Sequence, residues 1–98
     1  MIAPALVLHP NGGVEKLEAL PTLAGLQMHV GGWIEAIQGP HWTMYVNEEG
    51  GLHGLPANPQ ASRLAGVPLV GACVLVGDPD REGNDTPLTT NDLGVLTP

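Results

Sequence analysis

Phenylalanine is absent from this chain, and cysteine occurs once, at Cys73. A lone cysteine excludes an internal disulfide scaffold and fits a reducing compartment. Cations are almost as scarce. Only Lys16, Arg63 and Arg81 oppose ten acidic residues, giving a net charge of −7. Phosphate-backbone binding needs clustered Lys and Arg, so a nucleic-acid partner is disfavoured. Ten acids in 98 residues are also sparse for imitating a phosphate ladder. Long apolar runs are missing too. The most apolar stretch, Val67 to Gly77, is about half a membrane span and is broken by Pro68 and glycines. Met1-Ile2-Ala3-Pro4 lacks the basic start of a signal peptide, so the expected location is the cytoplasm, away from any membrane.

What is present is glycine and proline, 14 and 10 of them, set between short apolar runs without a fixed period. That distribution predicts a turn-rich fold, and 98 residues leave room for one hydrophobic core, hence one domain over 1–98. Without phenylalanine, Trp33, Trp42, Tyr45 and three methionines must supply the bulk that Leu, Val, Ile and Ala do not.

Ala5 to His9 is β-prone and runs into the turn signal Pro10-Asn11-Gly12-Gly13, with a second short strand over Val14 to Leu17. Leu23, Leu26, Gln27 and Val30 recur at helical spacing, predicting a helix from about Thr22 to Val30. Pro21 suits its first turn, and Gly31 or Gly32 stops it. Trp33 to Ile37 and Trp42 to Val46 read as a strand pair around the turn Gln38 to His41. Trp42, Met44 and Val46 share one face of the return strand and Thr43 and Tyr45 the other, leaving open which face is buried.

Asn47 to Gly51 reads as an exposed turn. Asn58 then caps a helix with Pro59 in its first position and Gly66 as its stop. That helix buries Ala61, Leu64 and Ala65. Leu69 to Val76 lacks alternation, as expected of an interior strand covered on both faces. Residues 78–86 form an acidic exposed loop, Thr89 or Thr90 caps a short final helix, and 95–98 is a disordered tail. The expected class is α+β: a small mixed, mainly antiparallel sheet with two or three short helices packed against it.

No recognisable catalytic set emerges. His9, His29, His41 and His53 lie 20, 12 and 12 residues apart, and no pair has the i, i+4 spacing of a zinc helix. Asp78, Asp80, Glu82 and Asp85 only loosely resemble a calcium loop, which needs a bidentate Glu at its end. Cys73 is expected inside a strand, where a reactive thiolate is disfavoured. Glu35, Glu48 and Glu49 offer carboxylates, but nothing in the sequence selects a catalytic separation. The glycine pairs precede no Lys-Ser/Thr, so the nucleoside-triphosphate loop signature is absent. Nothing calls for a metal or cofactor, and catalysis is disfavoured.

One block organises the rest. Val30-Gly31-Gly32-Trp33-Ile34-Glu35, Tyr45-Val46-Asn47-Glu48-Glu49-Gly50, Leu55-Pro56-Ala57-Asn58 and Gly71 to Gly77 together resemble a family of small phage, plasmid and actinobacterial proteins catalogued as domain of unknown function 3846. The resemblance covers roughly residues 20–77 and implies an accessory mobile-element protein without an assigned reaction. It transfers no catalytic residues. The expected function is non-catalytic binding of a host or phage protein, modulating host physiology or defence, through Trp33, Trp42 and Tyr45. The alternative is a small-molecule or nucleotide-sequestering pocket of Asn47, Glu49, Asn58 and Gln60 at the start of the Asn58-Pro59 helix. An edge strand or a tryptophan face would also serve homodimerisation.

Overall fold

The computed structural model describes residues 3–88. Seven elements follow one another: β1 (Ala5–Leu8), β2 (Val14–Leu17), α1 (Leu23–Val30), β3 (Ile34–Gln38), β4 (Trp42–Asn47), α2 (Pro59–Ala65) and β5 (Cys73–Gly77). The strands form one sheet in the order β2-β1-β5-β4-β3. Every neighbouring pair is antiparallel, so the sheet is not mixed. The reason is the path after β4. The chain passes through α2 and enters β5 between β1 and β4, running against both. The class is α+β, with two helices against a five-stranded antiparallel sheet.

Both helices stop and start on local chemistry. Thr22 Oγ1 accepts the Gly25 N–H at 3.1 Å, and Gly31 closes α1 at φ 82, its N–H bonded to the Gln27 carbonyl. Only glycine takes that left-handed backbone cheaply. Thr22 is the cap itself, so Pro21 precedes the helix where the sequence had it in the first turn. In α2, Asn58 Oδ1 accepts the Ala61 N–H at 3.1 Å, Pro59 takes the first turn and Gly66 the left-handed stop.

The helices lie on opposite faces. Ala61, with Leu64 and Ala65 beside it, packs on Leu6, Leu8, Trp42, Met44, Val46, Cys73 and Leu75. Leu26 and Val30 of α1 pack on Ala5, Val7, Val74 and Val76, with Ile34 and Tyr45 alongside. This settles the question left open for β4: both of its faces are covered. β5 is buried throughout, as its unbroken apolar run predicts for a central strand. It starts four residues later than Leu69, because Gly71 at φ 74 interrupts extended backbone, leaving Val70 in an isolated bridge to Ala57. The final helix and the tail expected after Thr89 lie outside the described residues. Among the described residues no helix is long and apolar enough to cross a membrane.

Candidate functional site

Among the described residues β3 is an edge strand, paired to β4 on one side only. Ile34 packs toward the α1 core and Ile37 toward the α2 core, fixing the alternation of its side chains. Glu35 therefore shares the α2 face with Ile37, and Trp33, one residue before the strand, falls on the same face. Backbone pairing continues through Trp33, whose carbonyl accepts the Glu48 N–H at 2.9 Å.

On this face lies an open cleft of about 290 Å³. Glu35, Ile37 and Val46 form one side, the turn Asn47 to Gly51 one end, and Val67, Pro68, Leu69 and Val70 the other side. The local cause is the exit from α2. Gly66 turns the chain back, and the Ala57–Val70 bridge holds the returning segment over the sheet. Its lining is mixed: Ile37, Val46 and Val67 to Val70 are apolar, Asn47 and the Gly50-Gly51 backbone are polar, and among the described residues its charged members are Glu35 and Glu48, with no Lys, Arg or His. Trp33, 67% exposed, stands opposite Glu48 in the strand register beside it.

The three aromatics expected on one surface are separated. Trp42 is 2% exposed and belongs to the α2-side core, because β5 covers one edge of β4 and the core its face. It is thus a core residue and not part of an exposed aromatic face. Tyr45 lies on the α1 face, half-buried, and its hydroxyl donates to Asp85 at 2.5 Å. Burial first, then that carboxylate, push its phenol up to about 12. Trp33 alone remains exposed.

The polar quartet also serves separate places. Asn47 Nδ2 donates to the Val30 carbonyl at 3.1 Å and its Oδ1 accepts the Glu49 N–H, tying the β4 turn to the end of α1. Asn58 is fully buried. Its Nδ2 donates to the Leu8 and Gly71 carbonyls at 2.9 and 2.8 Å while Oδ1 caps α2. Gln60 Nε2 reaches the His9 and Gly13 carbonyls at the β1–β2 turn. Glu49 is exposed beside His53, 3.5 Å away. Of the four, Asn47 alone lines the cleft, and its amide is already committed.

Other candidates are distributed likewise. His9 sits beside Glu15 and His41 beside Asp78, and among the described residues no three His, Cys, Asp or Glu gather as a metal site. Cys73 is buried, which pushes its thiol up to about 11. The 78–86 loop is more ordered by hydrogen bonds than its composition suggests. Asp80 accepts the N–H groups of Glu82 and Asn84 at 2.9 Å, and the Asn84 bond leads in holding its carboxyl below the ordinary range. Thr86 donates to the Asp78 carbonyl, so the loop closes on itself against β5.

With the cleft placed, the family comparison acquires a location. A family model described as Domain of unknown function (DUF3846) matches residues 2–96, well beyond the 20–77 block. The chain belongs to this family. No curated protein and no solved structure matches it. Two of the blocks that carry the DUF3846 resemblance meet at the cleft: Glu35, which ends the first, lies on one side with Val46, and Asn47 to Gly50 of the second supplies one end. Val67 to Val70 was read from sequence only as the start of the most apolar stretch and of a strand, not as part of a site. A Val-Pro pair just after a helix-stopping glycine was its available signal.

Proposed function

We propose that this DUF3846 protein is a non-catalytic binding module for another protein, a host or phage protein in the setting that the resemblance implies. The observation that carries this reading is the cleft on the α2 face: open, lined by apolar side chains together with polar groups, charged among the described residues only by Glu35 and Glu48, and flanked by exposed Trp33. An exposed tryptophan beside an open groove of mixed apolar and polar lining has the residue type that dominates protein-binding hot spots. Trp33 is the aromatic anchor, and Trp42 supports it only by holding β4 in place. The small-molecule reading gains no specific support, since Asn47, Asn58 and Gln60 spend their amides on the fold.

The test is affinity capture from host cytoplasm with the native chain and a Trp33→Ala variant whose folding is verified by circular dichroism. A specific protein retained by the native chain and lost by the variant supports the reading. Recovery of a bound small molecule, with no protein dependent on Trp33, overturns it. Trp42 is unsuitable for this comparison, because truncating it removes core volume.

A further inference from the structure

The register of β3 against β4 decides which backbone groups of this edge are free. Ile34 faces Asn47, Glu35 faces Val46, Ala36 faces Tyr45 and Ile37 faces Met44. The Glu48 N–H bonds to the Trp33 carbonyl, and the Gly39 N–H to the Trp42 carbonyl, both at 2.9 Å. These bonds lie at odd-numbered positions of the same register, so residues 33, 35, 37 and 39 turn their backbone groups inward. In an antiparallel ladder the direction alternates. Ile34, Ala36 and Gln38 therefore turn their N–H and carbonyl groups outward, where no backbone partner meets them among the described residues.

An added strand would bond to Ile34, Ala36 and Gln38. The residue opposite Glu35 would then occupy a non-hydrogen-bonded position, where cross-strand side chains approach most closely. That residue would face the cleft, with Glu35 opposite it and Glu48 diagonally beyond. The chain's charge of −7 and the lack of any cation along the cleft among the described residues favour a cationic side chain there. The same charge opposes a second copy of this protein, and an antiparallel pairing of two β3 strands brings no cation to either Glu35.

Resting on the protein-binding reading, we propose that β3 accepts an extended segment of the partner as a sixth strand, with a Lys or Arg placed opposite Glu35. Main-chain bonds to the outward groups supply affinity, and Glu35 selects charge. The partner is thus a protein with a basic, alternating, strand-forming segment.

The probe is a capped peptide of alternating Val and Lys, about six residues long, the length of an ordinary strand. Its counterpart replaces each Lys by Glu. Binding is read by calorimetry and by amide hydrogen exchange. The expected result is slowed exchange at the Ile34, Ala36 and Gln38 N–H groups with the Lys peptide only. Glu35→Lys should weaken the Lys peptide about tenfold and favour the Glu peptide. Ala36→Pro removes an outward N–H that β4 does not use and should abolish binding while the sheet remains. N-methylation of the peptide's bonded edge provides the same test without altering the protein.

Failure of the Lys peptide to bind, binding equal in all variants, or protection at β2 (Val14–Leu17) instead of β3 would overturn the proposal. A homodimer in sedimentation that Ala36→Pro dissolves would also overturn it, by assigning the edge to a second copy. A captured protein that depends on Trp33 but not on Glu35 or Ala36 would remove this docking mode and leave the protein-binding reading standing.

Discussion

Trp33 and Trp42 are chemically identical, yet their neighbours give them opposite roles. Trp42 fills the core beside Met44 and Leu75, and a Cβ at Gly39 would overlap its indole ring. Trp42→Ala should cost about 3–5 kcal/mol in urea unfolding. Trp42→Phe should cost less, about 1–2 kcal/mol, because the buried indole N–H has no acceptor among the described residues and its loss leaves nothing unpaired. Trp33→Ala, at an exposed site, should change stability by less than about 0.5 kcal/mol. Equal losses for Trp33 and Trp42 would contradict this division. Their sequence contexts do not distinguish them: each opens a β-prone run after a glycine-containing turn. The difference arises from β5, which comes some thirty residues later in the chain and lies on β4 but not on β3.

Tyr45, the only tyrosine, gives a clean optical probe at the same scale. Its folded pKa is raised to about 12 from 10.0, by burial and by Asp85. A raised value means that the neutral phenol is favoured by folding. The corresponding stability is fully present below pH ~10 and is lost as pH rises through ~12. Alkaline absorbance titration should show phenolate forming near pH 12 in the folded protein. Asp85→Asn should lower that midpoint. A folded midpoint at the ordinary tyrosine value would contradict both the burial of Tyr45 and its contact with Asp85.

Among elements, the parts that declared themselves in sequence are those whose causes are local. Asn58-Pro59 and Gly66 bracket α2 by capping chemistry, and Thr22 and Gly31 do the same for α1. What Asn58 does beyond capping was not legible. Its amide joins the Leu8 and Gly71 carbonyls, and one of these partners lies fifty residues away. Asn58→Ala should therefore cost more than an ordinary cap. The expected loss is about 2–4 kcal/mol, combining the cap with stranded buried carbonyls. Thr22→Ala, whose cap is exposed, should cost about 0.5–1 kcal/mol. Similar losses at both sites in denaturant melts would mean that the Asn58 latch contributes nothing.

The cleft was legible only in pieces. Glu35 and Glu48 stood out as carboxylates, but their shared face depends on the β3–β4 register. The Val67–Val70 wall depends on where Gly66 sends the chain, a long-range result with little local signature. Asn47 misled for a similar reason, since a turn asparagine looks free until its bond to Val30 is seen.

At the scale of the whole sheet, two helices among the described residues cover its two faces, while its edges differ. β2 carries exposed Glu15 and Lys16, and Lys on an edge strand opposes further pairing. β3 has no lysine and borders the cleft. Burial of the central strand implies that Cys73 resists alkylation in the native state and reacts once the protein unfolds. Rapid native labelling would mean that β5 opens far more readily than its packing indicates.

The most direct measurement for the whole account is amide hydrogen exchange of the protein alone and bound to the partner that it captures. Slowed exchange confined to the Ile34, Ala36 and Gln38 amides and to the Val67, Leu69 and Val70 amides of the wall is the predicted result. Protection of β2 or of α1, with β3 unchanged, would contradict the account and place the functional surface elsewhere.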